Sequence, residues 1–448
     1  MKRLFGTDGV RGVANVELTV ELAVSLGRAA AGIVAQKNSG PIIIGRDTRL
    51  SGPMLEAALV AGITSAGRDA VCVGIVPTPA VACIVKEEGA AGGAMISASH
   101  NPIADNGIKF FGADGFKLPD ELEDSIEACV HAHSFPQPQG TAIGTARAGQ
   151  NLGRHYYRRL TTGAPDLSAL EVIVDAAHGA AYAIFPYILR KLGASVIELH
   201  CENDGSRINV ECGATDLRTL QGAVESRTAA GGKRVVGVAF DGDADRALFV
   251  DETGRAVSGD HVLFALGRAA KAAGQLAHDT VVATVMSNFG LERALASQGI
   301  RLVRTPVGDR YVLECMRAEG HVLGGEQSGH VIDFRYNTTG DGPRTAITLL
   351  AILAESGATL HDLVRDVVEM PQILINVRAK TRDVLSHRPV ADEVARAHRE
   401  LEGWGRLLVR PSGTEPLIRV MAEGSDRERI ENIARRVAAC IEGELARS

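Results

Sequence analysis

The chain has 448 residues, more than one hydrophobic core usually organises, with 45% hydrophobic and 23% charged residues in a normal globular balance. Its formal net charge of −6 comes from acids and bases mixed along the whole length, with no basic arm and no Lys/Arg stripe interleaved with aromatics, so nucleic acid is not its expected partner. The amino terminus lacks an apolar leader, and no run nears the ~20 apolar residues that cross a bilayer, which points to a cytoplasmic protein without membrane association.

Short β-branched runs alternate with Ala-rich helical stretches, the pattern of α/β layers. Pro41–Gly45 reads as a strand, followed by Arg46-Asp-Thr-Arg49 and a helix from about Gly52-Pro53. Leu170–Asp175 is a second strand, with a turn at Ala176–Gly179 and a helix carrying Phe185, Ile188 and Leu192. Asp279–Thr284 is a third, followed by the helix of Leu291 and Leu295. Ser134–Gly140 is linker-like and leads to a helix around Tyr156–Arg159. Beyond Pro371 the texture changes: Ile373–Val377, Gly405–Arg410 and Pro416–Met421 read as strands, and a helix from about Arg427 to Leu445 ends the chain. The expectation is α/β: three tandem mixed α/β domains over 1–153, 154–254 and 255–368, and a smaller α+β domain over 369–448. The seven cysteines are scattered, odd in number and without a C-x-x-C pair, as in reduced and mostly buried thiols.

The sharpest motif is Asp241-Gly-Asp243-Ala-Asp245-Arg246, on a turn after the apolar run Val235–Phe240. Three acids at alternate positions repel one another unless a cation bridges them, and oxygen ligands suit Mg²⁺ or Ca²⁺. Glu252 falls at the twelfth place of a calcium loop, but the sixth is Arg246 where that loop needs Gly, and the flanks read as strands. A solvated turn is the plain alternative.

Ser97-Ala-Ser99-His-Asn-Pro102 follows another probable strand, and Asn-Pro favours a turn that presents Ser99. An ordinary turn serine is the competing reading. No G-x-S-x-G elbow occurs, and His100, adjacent in sequence, is expected to be structural, because neighbours seldom aim at one point. Lys109, in the apolar patch Gly107–Phe111, is either an exposed strand residue or a proton donor and acceptor with a lowered pKa.

Gly324-Gly-Glu326-Gln-Ser328-Gly-His330 makes a loop whose polar side chains can reach a polyhydroxyl ligand, although a plain turn reads as well and His330 fits a core or turn. Arg410-Pro-Ser412-Gly413-Thr414-Glu-Pro416, with Arg419 beyond, offers N–H groups, hydroxyls and a guanidinium fork for phosphate oxygens, against the alternative of a tight turn between strands. Phe5–Gly12 offers Thr7 and Arg11 on a Gly-rich loop that is no Walker P-loop.

In this order, Phe5–Gly12, Ser97–Pro102, Asp241–Arg246, Gly324–His330 and Arg410–Pro416 resemble the motifs of the α-D-phosphohexomutase superfamily across essentially the whole chain. The resemblance implies four domains around a central cleft and interconversion of hexose 6- and 1-phosphates through a phosphoserine. Ser99 would carry the phosphoryl group and, with Asp241, Asp243 and Asp245, hold Mg²⁺. Lys109 and Arg246 would flank the transfer, Lys109 as acid/base. Glu326 and Ser328 would bind sugar hydroxyls, while Arg410, Ser412, Gly413, Thr414 and Arg419 would hold the non-reacting phosphate; Thr7 and Arg11 join the substrate contacts.

Ala244 and Gln327 stand where phosphomannomutase/phosphoglucomutase relatives typically carry Gly and Met, which resembles the branch acting on glucosamine phosphates, a step toward UDP-N-acetylglucosamine and cell-wall precursors. The implied intermediate or primer is glucosamine 1,6-bisphosphate or glucose 1,6-bisphosphate, and either such a primer or an activating kinase would first phosphorylate Ser99. The resemblance leaves room for a homodimer. Three carboxylates near −3 and a phosphoserine near −2 leave about −3 after one Mg²⁺, so Lys109 and Arg246 are electrostatically useful.

Overall fold

The computed structural model describes residues 3–6, 8–34, 38–379, 383–412 and 416–447. Thr7, Gly413 and Thr414, expected to contact substrate, lie outside the described residues.

The described residues form mixed α/β architecture on four sheets of seven, five, four and three strands. In the first, Ile42–Arg46 lies parallel between Ala70–Ile75 and Gly92–Ile96. Its Ile42-Ile43-Ile44 run is fully buried, as a strand covered on both faces requires. Gly92–Ile96 turns at Ser97–Asp105 and returns antiparallel as Asp105–Gly112, setting Lys109 opposite Met95. Beyond it Gly9–Val13 adds Arg11 to the same side of the sheet order.

In the second sheet Leu170–Asp175, buried at every position, pairs parallel with Arg234–Phe240 and Ser195–Leu199. Arg234–Phe240 then reverses through the acidic turn into Ala247–Val250. The flanks of that turn are strands, so an EF-hand geometry is excluded. The third sheet sets Thr280–Thr284 between Arg301–Thr305 and Leu323–Gly325, and Leu323–Gly325 turns into Val331–Asp333. Ser99, Asp241 and Glu326 thus each follow the carboxyl end of a strand that has parallel neighbours, where open α/β sheets place their ligands.

The first three sheets are not sealed compartments. One apolar cluster runs from Ile43 and Val81 through Phe185 and Phe240 to Phe264 and Leu350. The fourth sheet is antiparallel throughout, with Leu417–Gly424 between Gln372–Arg378 and Gly405–Pro411. It packs its own core, including Val420, Ile430 and Val437, under the helix Arg427–Leu445, which Asp426 caps through the Arg429 N–H. All seven cysteines are free thiols. Among the described residues no helix is long and apolar enough to cross a membrane.

Candidate active site

Ser99 occupies the left-handed region at φ 51° and is 1% exposed. Its Oγ donates to Asp241 Oδ2 at 2.6 Å, joining the turn of the first sheet to the turn of the second. His100 Nδ1 lies 3.2 Å from the same Oγ. The expectation that His100 would not aim with its neighbour is corrected here, because its ring nitrogen and the Ser99 Oγ come within hydrogen-bond distance. Loss of hydration and the Arg246 and Arg11 guanidiniums push its imidazole down to about 4, so it is neutral at physiological pH.

Asp241, Asp243 and Asp245 are all buried, with one ligand oxygen each mutually within 4.8 Å. Burial and the two neighbouring carboxylates push Asp241 up to about 8. Asp243 Oδ2 accepts from Lys109 Nζ at 2.7 Å and from the Thr78 hydroxyl. Thr78 opens the buried helix Thr78–Glu87 and its N–H donates to the Asp243 carbonyl, so a helix N-terminus faces this loop. Asp243 Oδ1 is buried without a hydrogen-bond donor, and Asp245 Oδ1 has only His330 Nδ1, at 3.5 Å. Three buried carboxyls whose mutual repulsion raises Asp241 are the donor set of a hard divalent cation, which would relieve that repulsion, and the residues present fit Mg²⁺.

Lys109 is 3% exposed and its ammonium also lies 3.4 Å from Asp8 and 3.4 Å from Asp245. The exposed-strand reading is therefore corrected, and so is the lowered pKa. Burial alone would depress it, but the carboxylates of Asp243, Asp8 and Asp245 outweigh burial and hold it well above the usual lysine value. It stays charged, donating hydrogen bonds and keeping its proton.

Arg246 Nε lies 4.0 Å from both Asp241 and Asp245, and burial is outweighed by those acids in keeping its pKa raised. Arg11 donates to Asn101 Oδ1 at 3.2 Å and to Asp8. The third sheet's loop adjoins: the backbones of Arg246 and His330 pair in an isolated antiparallel bridge, Glu326 N donates to the His330 carbonyl at 2.9 Å, and Ser328 Oγ lies 3.3 Å from Glu326 Oε2. A second group stands on the fourth sheet, where Arg410 and Arg419 are register partners and line a cavity of about 40 Å³ with Met286 and Gln372. Partial burial and the Arg419 charge lower the Arg410 pKa. Ser412 is buried beside them, its N–H on the Leu417 carbonyl.

Sequence reasoning passed over Asp8, Lys117, Asp309 and Thr78. Lys117 binds both Asp8 and Asp309, and His330 sits between Asp245 at 3.5 Å and Asp309 at 3.4 Å, so a chain of alternating charges runs from the first sheet to the third. Asp8 lay in a motif already singled out; Lys117 and Asp309 carried no local signal.

Four family models match in order: phosphoglucomutase/phosphomannomutase α/β/α domain I over residues 2–137, domain II over 155–254, domain III over 258–370 and the C-terminal domain over 374–439. A phosphoglucosamine mutase of Desulforudis audaxviator is 53% identical over 429 residues, covering 94% of each chain. One from Symbiobacterium thermophilum is 51% identical over 99% of this chain and 100% of its own. Among solved structures, a phosphoglucomutase/phosphomannomutase family protein from Burkholderia thailandensis superposes with TM-score 0.84 at 24% identity, covering 99% of this chain and 98% of its own. Aspergillus fumigatus N-acetylphosphoglucosamine mutase, in complex with GlcNAc-6P and magnesium, superposes with TM-score 0.67 at 18% identity, covering 99% of this chain and 96% of its own.

Proposed function

The chain belongs to the phosphoglucosamine mutases of the α-D-phosphohexomutase superfamily, and from that membership we propose that it interconverts glucosamine 6-phosphate and glucosamine 1-phosphate through a phosphoryl ester on Ser99. The observation that carries this reading is the 2.6 Å contact between Ser99 Oγ and the buried Asp241 of a three-carboxylate loop. A serine placed there has a use for phosphate, because the acids fit a cation that would offset the charge.

In the first half-reaction the free sugar hydroxyl attacks phospho-Ser99; the P–Oγ bond breaks, a P–O(sugar) bond forms, and the proton lost by the hydroxyl is balanced by one taken up on the departing Oγ. The bisphosphorylated sugar turns, and in the second half Ser99 Oγ attacks its other phosphate; the P–O(sugar) bond there breaks, the departing sugar oxygen takes up a proton, and one is lost from Ser99 Oγ. His100 Nδ1, 3.2 Å from that oxygen and neutral, is placed to hold it. Asp241, Asp243 and Asp245, with an oxygen on Ser99, would hold Mg²⁺, which when bound neutralises charge on a transferring phosphoryl group. Lys109 and Arg246 supply fixed positive charge from two sides, where positioning and electrostatics do most of the work. Glu326 and Ser328 orient sugar hydroxyls; Arg410, Ser412 and Arg419 hold the phosphate that is not reacting, and Arg11 joins the substrate contacts beside the Ser99 turn. Burial of Ser99 limits attack by water on the ester. A bisphosphate primer or a kinase supplies the first phosphoryl group, and the product leads toward UDP-N-acetylglucosamine.

The test is turnover of glucosamine 6-phosphate with Mg²⁺ and a hexose 1,6-bisphosphate primer, followed by ³¹P NMR, beside glucose and mannose 6-phosphates. The expected result is glucosamine 1-phosphate without steady release of inorganic phosphate, and Ser99→Ala without turnover but with substrate binding intact. A clear preference for mannose 6-phosphate would overturn the substrate assignment, and continuous phosphate release would make the protein a phosphatase.

A further inference from the structure

Arg49, 0% exposed on the turn after Ile42–Arg46, touches no member of the acidic triad through a hydrogen bond described above, yet each of its five N–H groups has an acceptor. Nε donates to Asp47 Oδ2 at 3.1 Å. One terminal nitrogen donates to the carbonyls of Pro102 and Asp105, the other to those of Ser99 at 2.9 Å and Asn101 at 2.8 Å. Four carbonyls of the Ser99 turn are thus gathered on one rigid fork.

The other face of that turn is held as well. Asp47 Oδ2 accepts the Ser97 hydroxyl at 2.6 Å, and Ser97 Oγ accepts the Ser99 N–H at 2.9 Å. From the second sheet's side, Asn209 Nδ2 donates to the Ser99 carbonyl at 2.9 Å, alongside Arg49. Both peptide groups of Ser99 are therefore pinned, its carbonyl from two parts of the chain 160 positions apart (Asn209 less Arg49). This offsets the cost of a left-handed non-glycine residue, roughly 1–2 kcal/mol, and leaves the side-chain torsion as the main freedom of Oγ.

We propose that Arg49 and Asn209 are positioning residues for Ser99: they act through its backbone to return Oγ to one place in both half-reactions. The inference rests on Ser99 as phosphoryl carrier. A lysine keeps the charge beside Asp47 but presents one ammonium to acceptors that need a fork of five donors.

The experiment compares Arg49→Lys and Asn209→Ala with wild type, scaling kcat to the phosphoserine content of each preparation by intact-mass analysis so that misfolded protein drops out. Misplacement of about 1 Å can lower rate about 100-fold. Arg49→Lys is expected to lower the scaled kcat by about that factor and Asn209→Ala by about 10-fold, with KM for the sugar phosphate within about twofold and faster loss of phosphate from Ser99 to water. The double variant should fall short of the product of the two, because both act on one carbonyl. Scaled kcat within about twofold of wild type in both variants, or a rise in KM that accounts for the loss, overturns the proposal. If Arg49→Lys does not fold, Asn209→Ala decides alone. An active Ser99→Ala would remove the phosphoserine reading itself; an inactive Ser99→Ala beside unimpaired Arg49→Lys and Asn209→Ala removes only this one.

Discussion

Lys109 Nζ and Asp243 Oδ2 lie 2.7 Å apart, so a strand of the first sheet neutralises an acid on the turn of the second. Both side chains are buried, and removing one partner of such a pair leaves the other charge uncompensated at a cost of about 3–5 kcal/mol. Lys109→Met, similar in length but neutral, is expected to lower the melting temperature and to reduce turnover by at least about 100-fold. Unchanged turnover in a calorimetrically intact variant would take Lys109 out of the transfer.

Gly242 separates Asp241 from Asp243 for a steric reason. A Cβ there would stand 2.7 Å from the Ser99 carbonyl oxygen and 2.9 Å from the Ile208 side chain. Gly242→Ala must push the two turns apart, and a displacement near 1 Å is expected to reduce kcat by tens-fold or more. Circular dichroism should show the fold retained; kcat near wild type would mean that the two turns tolerate separation.

The buried carboxylates of Asp241, Asp243 and Asp245 would make the proposed Mg²⁺ a stabilising ligand as well as a functional one. At 100 times its dissociation constant a ligand adds about 2.7 kcal/mol to stability. Thermal scans of chelated wild type should move up by several degrees on adding Mg²⁺, and Asp243→Asn should abolish most of that rise and most of the turnover. An equal rise in the variant would place the cation elsewhere.

Asp260 is buried beside the joint between the third and fourth sheets. Its Oδ2 accepts the Asn288 N–H at 2.7 Å, while Asn288 brackets Met370 through both side-chain atoms. Burial pushes the Asp260 carboxyl up to about 6, above its value in an unfolded chain near 4. A carboxyl raised in this way binds its proton more tightly when folded, so its contribution to stability is greatest below pH 4 and is lost as pH rises toward 6. Asp260→Asn keeps the acceptor without the charge and is expected to stabilise the protein above pH 6 by on the order of 2 kcal/mol, with no gain at pH 4. Melting temperatures across that range check it; a gain independent of pH would exclude titration of Asp260 as the cause.

How much was legible in advance follows from how far apart the cooperating residues lie in the chain. Asp241, Asp243 and Asp245 lie within five positions, and like charges at alternate places on one turn favour a bridging cation over a merely solvated turn. The strand Leu170–Asp175 and the helix Arg427–Leu445 were likewise readable with their observed limits, because period and capping are local. His100 misled because its contact with Ser99 Oγ depends on the local backbone, with Ser99 at positive φ, and on side-chain torsions, none of which sequence announces for a non-glycine residue.

The sequence by itself determined the mixed α/β layers, the turns that follow their strands, and the chemistry each turn can offer, since these depend on residues within a few positions of one another. Only the tertiary structure decided that Lys109 is buried and strongly basic, that Lys117, Asp309 and His330 extend its charge chain, and that Arg49 and Asn209 meet at one carbonyl. Their properties are sums over neighbours brought from distant strands, and in a medium of low dielectric those sums outweigh what any residue carries alone.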